Sequence, residues 1–270
     1  DWSSDVCSSD LALWAGARPL RDPATGARYL LREEGLYDAA GRPVLPIDEE
    51  DRSFLAADLA GGLLALGCGD GRVALYDLDQ GVRIRSFRGM EGPVSRLALA
   101  AGQHRIAVGA AQTARIRLLN SVTGKAEAVL SAGSSTVGAL VLDEANVYLG
   151  DATGTIRTFR LVDGAPVGAV EVQTGPVTAL ALQPSSRQLL VGGAGGILLC
   201  SLPSLELDKR YVGHDNAVRH LAASPDGRRL VSVAGDGMVK IWDAHDGRLL
   251  NNLAPAGYAP RQAFPLPEPG

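Results

Sequence analysis

Histidine is scarce in this 270-residue chain. There are four, His104, His214, His220 and His245, scattered without HxxxH spacing. An imidazole-based metal centre therefore has no ligand set to start from. The three cysteines, Cys7, Cys68 and Cys200, form no CxxC pair, and no CxxCH motif occurs. That removes a disulfide framework, a thiolate zinc site and a c-type haem attachment. No apolar run approaches the roughly 18 residues of a membrane-spanning helix. The net charge is −4, with no clustered positive face of the kind nucleic acid calls for. No carboxylate pair recurs at a common position, so general acid–base chemistry has no visible candidate. These absences imply no cofactor, no metal and no catalytic set.

What the chain does have is a globular composition, 46% hydrophobic and 21% charged, with 33 glycines concentrated in turn-like positions. The clearest stretch is GHDNAVRHLAASPDGRRLVSVAGDGMVKIWDAHDGRLL, residues 213–250. It reads as four short strands. Val218–Ser224 is followed by the turn Pro225-Asp226-Gly227, in which proline presets φ and glycine supplies a positive φ. Leu230–Ala234 leads into Asp236-Gly237, a strong hairpin signal. Val239–Asp243, a turn at His245-Asp246-Gly247 and Arg248–Leu253 complete the unit.

The pattern repeats. The slot of Trp242-Asp243 recurs at Cys200-Ser201, Phe159-Arg160, Leu119-Asn120, Tyr76-Asp77 and Tyr37-Asp38, at steps of 42, 41, 40, 43 and 39 residues. The first strand of each unit starts in step, at Phe54, Val94, Val137, Val177 and Val218. Four strands per repeat of about 40 residues is the mark of a β-propeller. One such unit cannot cover both of its faces, so repetition is a physical requirement. Many of the strands are continuously apolar, as expected of sheets covered on both sides. The glycine clusters at 67–71 and 192–196 lie between two strands. They read as hairpins, because a dinucleotide-binding loop would have to open a helix. Cys68 and Cys200 fall in strands and read as buried, inert thiols.

Gly213-His214 at one end and Trp242-Asp243 at the other, with 27 residues between, resemble the WD-40 repeat family. The resemblance implies an all-β propeller of four-stranded antiparallel blades. Six blades are recognisable here. Seven is common in the family, so a lost N-terminal blade and a genuine six-bladed ring both stay open. It also implies a buried network of His214, Ser232, Asp236 and Trp242, read as scaffold rather than as a catalytic Ser/His/Asp set. No other blade keeps all four, so the others are expected to rely on apolar packing.

The first eleven residues, DWSSDVCSSDL, resemble a translated sequencing adapter and are expected to be non-native or disordered. The propeller is expected over 12–253, with a degenerate first blade whose inner strand is Ala12–Ala15. A proline-rich tail or linker is expected over 254–270. The resemblance further implies a non-catalytic scaffold that presents loops to a protein or peptide. The expected contacts are Arg72, Arg88, Met90, Glu91, Asp151, Asp215, Asn216 and Arg219. The alternatives are an enzymatic or redox ring (lactonase-like or quinoprotein-like) and a sensor module cut from a larger bacterial protein. Richness in Ala, Gly, Leu and Arg points to a GC-rich bacterium. A cytoplasmic location is favoured over export, which would need a leader ahead of the first residue. The sequence sets no oligomeric state.

Overall fold

The computed structural model describes residues 18–22, 27–110, 113–183, 187–224 and 226–254. They form 24 strands and two 3-10 turns, Glu49–Asp51 and Ala101–Gln103, and no α-helix occurs among the described residues. The strands are arranged as six four-stranded antiparallel sheets, each a simple meander, the blades of a β-propeller. The chain groups into two compact units, one ending at Glu171 and one beginning at Val172.

The first unit holds four sheets. Sheet one is β1 Arg18–Arg21, β2 Arg28–Leu31, β3 Gly35–Asp38 and β4 Pro43–Pro46. Sheet two is β5 Phe54–Ala60, β6 Leu63–Cys68, β7 Arg72–Asp77 and β8 Val82–Arg88. Sheet three is β9 Val94–Ala100, β10 Arg105–Ala110, β11 Arg115–Asn120 and β12 Ala126–Ser131. Sheet four is β13 Val137–Leu142, β14 Asn146–Asp151, β15 Thr155–Arg160 and β16 Pro166–Glu171. The second unit holds sheet five, β17 Val177–Gln183, β18 Gln188–Gly193, β19 Gly196–Ser201 and β20 Glu206–Tyr211. Its sheet six is β21 Val218–Ala223, β22 Arg229–Ala234, β23 Val239–Asp243 and β24 Leu249–Leu253.

The five first-strand starts read from the sequence are the observed starts of β5, β9, β13, β17 and β21. The first blade departs from expectation. The strand paired with β2 is Arg18–Arg21, and the expected Ala12–Ala15 lies outside the described residues. So do the segments 1–11 and 255–270. The two glycine clusters, in sheets two and five, sit at the β6–β7 and β18–β19 hairpins.

Alternation explains the continuous apolar runs. Leu64, Leu66, Ala74 and Tyr76 of sheet two pack with Leu31, Leu36 and Leu45 of sheet one. The residues between them, Ala65, Val73 and Leu75, pack with Val94, Ile106 and Val108 of sheet three. Successive side chains on a strand point to opposite faces, so a middle strand covered on both sides must be apolar throughout. In the second unit, Leu190, Ile197, Leu199 and Tyr211 pack against Val218, Leu230 and Trp242. The outer strands are mostly exposed, and β8 and β20 are also rich in charged residues.

Near the start of the first strand, five sheets carry the same register shift. The skipped residues are Leu55, Ser95, Gly138, Thr178 and Arg219. A bulge of this kind bends the strand and re-aims a side chain. It places Arg219 at the edge of the loop that precedes β21.

Candidate functional site

The sixth sheet brings its four matched residues into one hydrogen-bonded chain. His214 comes from the loop before β21, Ser232 from mid-β22, Asp236 from the β22–β23 turn and Trp242 from β23. His214 Nδ1 lies 2.8 Å from Asp236 Oδ2, and its Nε2 lies 2.7 Å from Ser232 Oγ. Trp242 Nε1–H donates to the same Oγ at 2.8 Å. Indole can only donate, so the Ser232 hydroxyl proton is directed at His214 Nε2. Nδ1–H then faces Asp236. Asp236 also accepts N–H bonds from Met238 and Asp215. Burial works to raise its pKa. The Met238 amide, His214 and the Asp215 amide together outweigh burial and hold the carboxyl below its ordinary range.

Glycine at 213 has a steric cause. Its φ is +152°, and an added Cβ would meet Trp242 Cη2 at 3.1 Å. The bare backbone lets the loop lie on the indole. Tyr211 stands edge-on to the same ring at 5.9 Å.

The order Asp236–His214–Ser232 has the bonding sequence of a hydrolase triad. Ser232, however, is 0% exposed and its oxygen already accepts the indole proton. A nucleophile must reach a substrate, and this hydroxyl faces only protein.

Sheet two does not rely on packing alone, contrary to expectation. Its tryptophan slot holds Tyr76, whose hydroxyl donates to Asp51 Oδ2 at 2.8 Å and accepts Asp48 N–H at 3.0 Å. Asp51 is 0% exposed. Arg72 and Arg83 reach it at 3.1 and 3.0 Å, and Cys68 Sγ lies 3.8 Å away. Burial, with the Asp51 hydroxyl contact, pushes the Tyr76 pKa well up. Burial and the Asp51 charge push the Cys68 thiol up to about 11. A buried phenol needs an acceptor for its O–H, which the Asp51 carboxylate supplies, and the two arginines compensate the charge of that carboxylate. The sequence carried the signal in the acidic run 48–51 directly before β5 and Tyr76 in the repeat slot. Asp48, Glu50 and Asp51 bring ligand oxygens within 4.8 Å of one another, the only such group among the described residues. Arg72 and Arg83 already compensate them, Arg83 also through Glu50 and Asp48.

The expected rim residues divide by exposure. In the first unit Arg88 and Glu91 are exposed. Met90 is partly buried against the core of sheets two and three. Arg72 is ion-paired to Asp70 and Asp51. Its turn is tied to the Met90 loop, because Gly71 O accepts the Gly89 and Met90 N–H groups. Asp151 is a correction. It is 0% exposed and accepts the Thr153 and Thr155 N–H groups and the Thr153 hydroxyl, with Arg157 at 3.5 Å. Its Oδ1 closes its own turn, and its Oδ2 is buried beside Arg157, so the carboxylate is not exposed to a partner. In the second unit Asp215, Asn216 and Arg219 are all exposed, and the Asp215 backbone is pinned to Asp236.

Comparison with known proteins bears on the same region. The family described as "WD domain, G-beta repeat" matches residues 205–243. Human striatin-4 is 34% identical over 101 residues, covering 33% of this chain and 13% of striatin-4. WD repeat and FYVE domain-containing protein 2 of Caenorhabditis elegans is 22% identical over 255 residues, covering 90% of this chain and 59% of its own. The chain thus spans less than two thirds of either relative. Both are animal proteins, and neither supports the bacterial source read from composition. The crystal structure of the computationally designed Ika8 protein superposes with a TM-score of 0.68 at 22% identity, over 84% of this chain and 71% of that one, a likeness of fold. The repeat period and the four-stranded sheets make the chain a β-propeller, and its residues 205–243 match a WD-40 repeat.

Proposed function

We propose that this chain is a non-catalytic scaffold that presents its loop rim to a protein or peptide. The supporting observation is the division of polar groups in the sixth sheet. His214, Ser232 and Asp236 satisfy one another, with His214 and Ser232 almost wholly buried. Asp215, Asn216 and Arg219, attached to the same frame, face solvent. Such a frame holds charged side chains at fixed positions, and preorganisation of this kind lowers the entropic cost of binding. The loop of Arg88 and Glu91 is anchored comparably through Gly71. Scaffolding is also the reading that WD-repeat relatives favour, by analogy of fold.

The test is affinity capture with the wild-type chain and with an Asp215→Lys/Arg219→Glu double variant of unchanged melting temperature. A partner held by the wild type and released by the variant supports the proposal. Retention of every partner by the variant, or esterase activity abolished by Ser232→Ala, overturns it.

A further inference from the structure

In the first unit, the loop-rim end of sheet three carries arginines that no carboxylate answers. Residues 88–131, which span sheet three and the loop entering it, hold six Lys/Arg and two Asp/Glu. The flanking stretches 48–87 and 132–171 are acidic, with four Lys/Arg against eight Asp/Glu and two against five. Arg96 is the third residue of β9, and Arg115 and Arg117 are the first and third of β11, so all three lie near the rim. Arg105 and Lys125 lie at the opposite end of the sheet, where Arg105 is ion-paired to Glu127. Arg88 shares a face with Arg72, its register partner, and so sits with the acids that Arg72 holds.

Arg96 and Arg117 are half-buried, and their partners are main-chain oxygens. Arg96 Nε donates to Gly138 O at 2.9 Å and its Nη1 to Ser95 O at 3.0 Å. Arg117 Nη1 donates to Gly89 O at 3.2 Å. A carbonyl fixes a guanidinium in place and leaves its charge uncompensated. Burial depresses the Arg96 pKa, with no neighbouring charge raising it. Arg115 is exposed. None of the three takes part in an ion pair among the described residues. Of the acids on the adjoining loops, Asp70 is paired to Arg72 and Asp151 is held by its own turn and Arg157. Glu91, exposed in the loop before β9, is the one left. The stretches 111–114 and 131–136 contain no charged residue.

The arginines do not converge on one point. Arg96 shares its register row with Gly109 and Ile116, and Ile116 packs toward sheet four. Arg117 shares its row with Val108 and Val129, and Val108 packs toward sheet two. The fixed guanidinia thus stand on opposite sides of sheet three, and Arg115, two residues from Arg117, shares the latter's side. A single phosphate cannot bridge them, whereas spaced carboxylates can. A long polyanion such as a nucleic acid would run onto the acidic sheets on either side. We propose that the rim over sheet three docks an acidic segment of a protein partner, with successive carboxylates on Arg117, Arg115 and Arg96. This rests on the reading of the rim as a docking surface and adds the charge of what docks there.

Calorimetric titration of the full chain tests it. The probes are a capped octapeptide alternating glutamate and glycine, its glutamine and lysine counterparts, inorganic phosphate and a short oligothymidylate. The glutamate peptide is expected to bind, more weakly as salt is raised, and the lysine peptide is not. Arg115→Glu, an exposed substitution, should weaken binding by about tenfold or more, the scale of a lost charge-assisted contact. Glu91→Gln removes the opposing acid and should tighten binding severalfold, a gain that a merely structural role for the loop would not give. Both variants should keep the wild-type melting temperature. Equal affinity for the glutamine peptide, wild-type affinity in Arg115→Glu, no binding of the glutamate peptide, or phosphate or oligothymidylate binding as tightly as that peptide would each overturn the proposal. A captured partner released by Asp215→Lys/Arg219→Glu but still held by Arg115→Glu would overturn it too, and would leave the scaffold reading standing.

Discussion

Replacing Ser232 with alanine removes one oxygen that serves two buried partners. Trp242 Nε1–H loses its acceptor and His214 Nε2 loses its donor. Both side chains are almost wholly buried, so water does not compensate. Each orphaned group costs about 1–3 kcal/mol. The expected loss is therefore about 2–6 kcal/mol. In a domain of this size, each kcal/mol shifts the melting temperature by about 2–4 °C. Urea unfolding followed by far-ultraviolet circular dichroism, a probe that survives removal of the tryptophan, measures the loss. A double-mutant cycle with Trp242→Phe isolates the shared hydrogen bond, because phenylalanine has no N–H to orphan. Ser232→Ala should cost less by about 1–3 kcal/mol in the Trp242→Phe background. Additivity within about 0.5 kcal/mol, or a Ser232→Ala melt superimposable on the wild type, would refute the network argument.

Asp51→Ala should destabilise the first unit by about 3–5 kcal/mol, since Tyr76, Arg72 and Arg83 all lose a buried partner; Tyr76→Phe should cost less, about 1 kcal/mol, and denaturant midpoints will rank the two. Asp58 gives a pH signature. Burial pushes its carboxyl up to about 6 despite N–H bonds from Leu99 and Leu59. A folded-state value above the unfolded one stabilises the protonated form. That contribution is complete below about pH 4 and is lost as pH rises through about 6, at most about 3 kcal/mol. Asp58→Asn should remove this decline, and parallel unfolding curves for the two proteins from pH 4 to 7 would contradict it. Cys68 and Cys200 are buried with thiols pushed up to about 11, so a disulfide reagent at pH 8 should label them only on unfolding. Fast labelling of the native chain at either position would count against that burial.

Much of this architecture can be read without coordinates because its units are local. Asp236-Gly237 and its counterparts close hairpins between neighbouring strands, so strand starts such as Val137 and Val218 follow from turn chemistry and a period near 40. Likewise, His214, Ser232, Asp236 and Trp242 all lie within one repeat, and their meeting is implied by the resemblance of that repeat to the WD-40 family. The remaining features depend on which sheet faces which and on where each acid points. Leu64 turns to sheet one and Ala65 to sheet three, and both are simply apolar letters in the chain. Asp51 and Asp151 look like surface acids until their burial is known. The first finds a phenol and two arginines reaching in from β7 and β8. The second spends one oxygen on its own turn and buries the other beside Arg157. Hairpins are settled by a few adjacent dihedrals, whereas burial and charge compensation are settled by neighbours tens of residues away, which no short window of sequence contains.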